Sequence, residues 1–313
     1  MIFLIGGSGF LGRRISKSLS NNYDIGITTS KSLKNSKSTF KTYSLDLKKN
    51  FHKLDLKFFK RANVVVNLAS LNSSDASKEP ELAKKIKVEG TKYLLNELSR
   101  FSIKKYINIS TCHVYGKNLS GTITEESKIN PSDIYSEVHS KADEIISLYE
   151  GDIPEVYSLR LTNGVGSPLN KYSNCWSLLV NDLCKQAVIS RKIVLKAPRF
   201  TKRDFIPIDF IVNSISYFLD KDTSRLDSKF CNISSGKLTT ISSIANLIRD
   251  RFKILFNDDL EVIYLNKSLQ KESERYIFSN KIIFNLGLKQ HLSLSDEIDT
   301  LLLNCSNWFK NGQ

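Results

Sequence analysis

The chain lacks the common devices for cross-linking itself and for crossing a membrane. Its five cysteines, at 112, 175, 184, 231 and 305, contain no Cys-x-x-Cys pair, and their odd number makes a poor disulfide framework. Reduced thiols and no metal site are therefore expected. No apolar run approaches the roughly 20 residues of a membrane span. The first residues enter an apolar run at once, without a basic lead or a cleavage site, so a cytoplasmic protein with no membrane partner is expected. Acidic residues are also short: 32 Asp and Glu stand against 46 Lys and Arg, giving a net charge of +14. The lysines lie in scattered short groups such as Lys48-Lys49, Lys84-Lys85 and Lys104-Lys105, which reads as a solvated basic surface; a nucleic-acid partner is not expected. With 313 residues, 41% hydrophobic and 25% charged, the chain is long enough for two globular domains.

The most informative stretch is the first dozen residues. Ile2 to Ile5 form an uninterrupted apolar run of the kind a strand covered on both faces requires, and it stops in Gly6-Gly7-Ser8-Gly9-Phe10-Leu11-Gly12. The Gly6-x-x-Gly9-x-x-Gly12 spacing permits a sharp turn, close approach of a pyrophosphate and tight packing of the next helix. That helix is expected from near Gly9, with its free N–H groups turned toward an anion, and with Ile15, Leu19 and Phe10 on its apolar side. A strand before, a helix after and a second strand at 24–28 make this a dinucleotide-binding pattern. Apolar segments at 42–45, 64–68 and 105–110 alternate with amphipathic ones, including a helix over about 80–100, as a parallel sheet with crossover helices demands. The segment 63–69 reads as a central strand that brings Asn67 to Ser70 to the carboxyl edge, where ligands of such sheets bind.

No carboxylate ends the second strand, where one would bind the ribose of NAD. Thr28, Thr29, Ser30 and Lys31 stand there, followed by Lys34, and this set favours the 2′-phosphate of NADP over NAD. Asp46 and Leu47, after the third strand, are candidates for the adenine end, and Leu68 and Ala69 for the cofactor's middle. An ordinary loop aspartate remains open for Asp46.

In order along the chain, Gly6 to Gly12, Asn67-Leu68-Ala69, Val88-Glu89-Gly90-Thr91, Ser110-Thr111-Cys112-His113-Val114-Tyr115-Gly116, Leu159-Arg160-Leu161-Thr162-Asn163 and Arg203-Asp204-Phe205-Ile206-Pro207 resemble the extended short-chain dehydrogenase/reductase family. Within it they are similar to the NAD-dependent nucleotide-sugar epimerases, dehydratases and reductases. The resemblance implies an α/β fold: a doubly wound Rossmann domain over 1–163, to which 205–232 returns, and a smaller, mostly helical substrate domain from 164–204 and 233–313. It also implies a homodimer. Asn174 to Ala187, with Trp176, Leu179, Val180, Leu183 and Ala187 at helical spacing, is read as the first helix of the smaller domain.

The same resemblance implies a mechanism. Tyr135 is the acid/base, and Thr111 orients the substrate oxygen. The lysine usual four residues past the tyrosine is absent: Tyr135-Ser136-Glu137-Val138-His139 puts histidine there, and Lys141 lies off that face of a regular helix. His139 is read as the cofactor-side partner, partly charged at neutral pH from a reference pKa of about 6.5. Lys87 stands where the family often has asparagine, a change expected to alter the proton path. Cys112 and His113 follow Thr111 where 4,6-dehydratases have Asp-Glu, so elimination lacks its usual acid and base and a reductase or epimerase is favoured. His113 is a candidate second acid/base, with an ordinary loop histidine left open. Asn163, Asn174, Arg203 and Arg275 are the expected ligands of a nucleoside-diphosphate sugar, the arginines for phosphate oxygens, with a surface salt bridge left open for Arg275. Arg160 is read as structural. Two alternatives stay open: a carbonyl reductase of a non-sugar substrate, and a non-catalytic cofactor-sensing or RNA-binding relative.

Overall fold

The structure, a computed structural model, describes residues 1–30, 40–221, 223, 226, 228–266, 275–288 and 293–309. The chain divides into two compact units that interleave in sequence: 1–118, 125–161 and 212–233 form the first; 119–124, 162–211 and 234–313 form the second.

The first unit is built on seven parallel strands: β1 (Ile2–Ile5), β2 (Ile25–Thr29), β3 (Lys41–Ser44), β4 (Val64–Asn67), β5 (Lys105–Thr111), β6 (Glu155–Leu161) and β7 (Phe230–Ile233). Their order across the sheet is β7-β6-β5-β4-β1-β2-β3, every pairing parallel. The order reverses beside β1, which makes the carboxyl ends of β1 and β4 the crevice for a ligand. β1, β2, β5 and all but the first residue of β6 are buried throughout, which explains their near-continuous apolar character. Phe3 packs at 5.1–5.5 Å against Tyr43, Phe58 and Phe59, and this aromatic cluster closes one end of the core around Leu94, Leu98 and Tyr106.

The helices described for this unit begin with α1 (Phe10–Leu19), α2 (Ser73–Lys78) and α3 (Pro80–Lys84); α4 (Gly90–Leu98) and α5 (Ile134–Ser147) follow. The uninterrupted helix expected over 80–100 is broken by a π-turn, Lys85–Glu89, between α3 and α4. At its centre Lys87 is fully buried, and its ammonium donates to Asn108 Oδ1 at 2.8 Å and to the Ile109 carbonyl at 2.7 Å on β5. The widened turn accommodates that long polar side chain in a place regular winding would not give it. α5 starts at a capping box in which Asp133 accepts from the Ser136 N–H at 2.9 Å.

The second unit holds three small sheets: 202–207 between 238–240 (antiparallel) and 163–165 (parallel), and the parallel pairs 192–195 with 261–264 and 121–123 with 276–278. Helices Leu179–Ser190, Ile241–Phe256 and Leu294–Phe309 bury Leu183, Ala187, Ile244, Ile248, Ile298 and Leu301 against one another. The first of these starts at Leu179, five residues later than expected. Residues before it turn instead, with the Leu178 N–H bonded to the Cys175 carbonyl, and Trp176 docks edge-on to Phe309 at 5.0 Å. Its apolar spacing mimicked a helical face.

Candidate functional site

The glycine stretch forms the expected cradle. Gly6 has φ +74, a conformation that favours glycine, and a Cβ there would lie 3.1 Å from the Ala69 nitrogen at the end of β4. A Cβ on Gly12 would meet Gly7 Cα at 2.6 Å and the Gly6 carbonyl at 2.7 Å, both backbone atoms that cannot yield. α1 begins at Phe10 with Gly9 as its cap, no side chain bonded over its N-terminus and no acidic residue in its first turn. These residues fit a dinucleotide: a bare helix end, a tight glycine turn and the sheet's switch point coincide. Gly12→Ala is expected to weaken dinucleotide binding by roughly tenfold or more and to cost about 1–3 kcal/mol of stability, read by ligand titration and denaturant unfolding.

Of the other cofactor candidates, Ser8, Thr29, Ser30, Leu68 and Ala69 lie at or just past the carboxyl ends of β1, β2 and β4. The Ser8 hydroxyl donates to Thr29 Oγ1 at 3.1 Å, and the Gly6 N–H to Thr28 Oγ1 at 3.1 Å, which ties the glycine turn to the end of β2. Ser30 is exposed just beyond, and Lys31 and Lys34 lie outside the described residues. Asp46 accepts from the Lys48 N–H at 3.1 Å, while Leu47 is buried in the core. Leu11, Leu68 and Ala69 are partly buried, and Asn67 clamps their turn by accepting from the Ala69 N–H at 3.1 Å.

Tyr135, from the first turn of α5, lies beside Thr111, the last residue of β5. Burial pushes the phenol up to about 12; the Thr111 hydrogen bond pulls it down, and Asp133 pushes it up. Thr111 is buried and also accepts from the His113 N–H at 3.2 Å, so its hydroxyl has a fixed position. His113 is exposed, with its ring edge-on to Tyr135 at 6.3 Å. Cys112 is buried and its thiol donates to the Arg160 carbonyl at 3.1 Å, which removes it from proton chemistry.

His139 sits one turn beyond Tyr135 with the two rings 4.6 Å apart, but it is not the partly charged group expected from its reference value. Burial pushes it well below the ordinary histidine range, and Lys87 and His113 push it further. It is neutral at physiological pH. Lys141 is exposed and pairs with Glu137, away from the site, as its position on α5 implies.

Two further side chains complete this face: Ser70, which the sequence placed only at the sheet's carboxyl edge, and Asp143, which it did not single out. Ser70 Oγ lies 3.0 Å from His139 Nε2. Asp143, a further turn along α5 from His139, forms a buried pair with Arg160 Nε at 2.8 Å and accepts from the Ser158 hydroxyl at 2.6 Å. Arg160 also donates to the Tyr115 hydroxyl at 2.8 Å and stacks on the Phe230 ring at 4.1 Å, which accords with its structural reading. The i, i+4, i+8 spacing of Tyr135, His139 and Asp143 was the available signal.

Of the substrate candidates, Thr111 and His113 belong to the first unit, and Asn163, Asn174, Arg203 and Arg275 to the second. Asn163 donates to the Asp204 carbonyl at 2.8 Å, next to Arg203 on the 202–207 strand. Asn174 is exposed in the turn before helix Leu179–Ser190 and does not open that helix. Arg275 is exposed; the adjoining Tyr276 reaches the Lys202 carbonyl at 3.5 Å, so the segments bearing the two arginines lie side by side. Among the described residues no cluster of metal-binding side chains occurs, and no helix is long and apolar enough to cross a membrane.

Comparison with known proteins agrees with this architecture. The chain is 27% identical over 176 residues to the low-salt glycan biosynthesis protein Agl12 of Haloferax volcanii, covering 52% of this chain and 56% of that protein. It is 23% identical over 255 residues to a dTDP-D-glucose 4,6-dehydratase of Dictyostelium discoideum, covering 70% and 55%. It thus spans just over half the length of these curated relatives. Among solved structures, the UDP-glucuronic acid 4-epimerase of Bacillus cereus, in complex with UDP-glucuronic acid and NAD, superposes with a TM-score of 0.78 at 18% identity, over 98% of this chain and 99% of that one. The UDP-glucose 4-epimerase of Thermotoga maritima does so at 0.79 and 20% identity, over 97% of each. These likenesses show the fold. The model of the NAD dependent epimerase/dehydratase family matches residues 2–234, the span that carries the glycine cradle, Thr111 and Tyr135, and the chain belongs to that family.

Proposed function

We propose that this protein is an NAD(P)-dependent epimerase or reductase of a nucleoside-diphosphate sugar, with Tyr135 as acid/base. The observation that carries the reading is the meeting of Tyr135 with Thr111 at the carboxyl end of β5, in the same unit as the glycine cradle. When bound, the dinucleotide supplies reversible hydride exchange with a sugar carbon. The protein handles the proton. A phenol near 12 is protonated at neutral pH, so Tyr135 stands ready to donate to a carbonyl oxygen held by Thr111. Acting as base, in the opposite direction, it needs stabilisation from a cation, which neutral His139 does not provide.

Elimination is the disfavoured reaction. Buried Cys112 and exposed His113 replace the paired carboxylates that a dehydratase uses. Thr28, Thr29 and Ser30 at the end of β2, with no carboxylate among them, support NADP over NAD. Arg203 and Arg275 are the proposed diphosphate ligands, with Asn163 and Asn174 beside them, and the proposal includes a cytoplasmic homodimer. A second reading, reduction of a non-sugar carbonyl, draws on the position of Asn174 outside the helix it was expected to open.

Thermal denaturation with NAD, NADP and a panel of UDP-, dTDP-, GDP- and CDP-sugars tests this. A ligand at about 100 times its Kd adds roughly 2.7 kcal/mol to the native state. One dinucleotide and one class of nucleotide sugar are expected to stabilise, and that pair should exchange hydride as followed by nicotinamide absorbance. Stabilisation by a dinucleotide but by no nucleotide sugar, with turnover of simple ketones, would favour the second reading.

A further inference from the structure

A fully buried lysine beside a neutral histidine demands a reason, because an ammonium taken out of water is costly unless it is paired or hydrogen-bonded. Lys87 has three N–H donors, and two are committed to Asn108 Oδ1 and the Ile109 carbonyl on β5. Two buried polar atoms without a hydrogen-bond partner belong to the same surroundings: Ser110 Oγ, on the residue after Ile109, and His139 Nδ1, on the ring that Lys87 influences electrostatically.

The hydrogen on Ser70 decides the form of that ring. The Ser70 hydroxyl lies 3.0 Å from both the Leu71 carbonyl and His139 Nε2; a carbonyl can only accept, so a hydroxyl that donates to it leaves the nitrogen as the donor. A neutral imidazole with its proton on Nε2 has a bare lone pair on Nδ1, and a nearby positive charge favours a lone pair over a proton there. We infer that Lys87 is a positioning residue of this site: with Ser70 it holds His139 as a neutral imidazole protonated on Nε2, and it keeps the site's positive charge on the π-turn and off the ring that faces Tyr135.

Burial pushes Lys87 down to about 7, against the pull of Asp143, so the cation titrates in the physiological range. The groups acting on it are Asp143 and His139 from α5 and Asn108 and the Ile109 carbonyl from β5; His113 acts on His139 from beyond β5. The charged residues of α3, Glu81 and Lys84, are exposed. As pH rises through the lysine's titration the cation is lost, and with it the hold on Nδ1.

The part this plays in turnover rests on Tyr135 being the acid/base; the state of the ring does not. The test is nitrogen-15 NMR of the full chain, histidine-labelled and without nucleotide or sugar, with the ring of His139 identified by its loss in His139→Gln among the four histidines. The expected spectrum is a single Nε2–H tautomer whose ring stays uncharged well below the ordinary histidine range. In Lys87→Gln, which keeps a donor but no charge, both tautomers should appear and the ring should titrate at higher pH than in the wild-type protein. The kcat profile of the wild-type protein should bend near pH 7 and that of Lys87→Gln should not. An Nδ1–H or charged ring in the wild-type protein would overturn the inference by itself, even if the variant failed to fold. So would a variant whose ring is unchanged. Should the tautomer hold while Tyr135→Phe keeps full turnover, the proposed function fails and the positioning role stands.

Discussion

Tyr135→Phe is expected to lower turnover by about 10²–10⁴-fold, the range that a positioned acid or base contributes. Dinucleotide affinity should stay within about twofold, since the glycine cradle is untouched. The two effects separate because the lost atom is the hydroxyl next to Thr111, while the ring that packs 4.6 Å from His139 remains. Thr111 retains its bond from the His113 N–H, so the end of β5 should not move. Single-turnover hydride transfer and dinucleotide titration measure the two quantities. Unchanged transfer would remove the phenol from the mechanism; a parallel collapse of cofactor binding would mean the substitution disturbs the edge of the sheet.

Asp143→Ala should cost about 3–5 kcal/mol of stability, because it leaves the Arg160 guanidinium buried without its counter-charge. The pair is shut away at 2.8 Å with side-chain exposures of 3% and 4%, and Asp143 also receives the Ser158 hydroxyl. Ser158 in turn accepts from Asn108, which accepts from Lys87, so the loss would spread from α5 into β5 and the π-turn. Denaturant unfolding reads the cost. Replacing both partners by apolar residues, Asp143→Leu with Arg160→Met, should recover a substantial part of it, because the penalty comes from an uncompensated charge more than from a missing attraction. A double variant no better than Asp143→Ala would instead mean that the hydrogen bonds of this network carry the stability.

The sheet and the cradle were legible in the sequence because they depend on local properties. Four apolar residues followed by glycines at 6, 9 and 12 specify a covered strand, a turn and a helix start within one short segment. Tyr135 and Thr111 could be named from their motifs. What the sequence hid depends on neighbours far along the chain. Reference values make a partly charged His139, and burial, with Lys87 and His113 adding to it, pushes it well below that range. The π-turn is invisible in the amphipathic pattern over 80–100, and the groups that Lys87 bonds from it, at Asn108 and Ile109, lie 21 and 22 residues on in β5. The helix expected to open at Asn174 was misread since Trp176 is apolar for the sake of Phe309, more than a hundred residues later.

The π-turn has one more consequence. Lys85–Glu89 is wound more loosely than the helices on either side, so the segment contains about one residue beyond what regular winding would use. Excising a single residue there would let the backbone close into ordinary α geometry, and each side chain downstream would swing by about 100° relative to those upstream. Gly90 to Leu98 would then present a different stripe to the core, or Lys87 would lose its seat on β5; the shortened chain could not keep both.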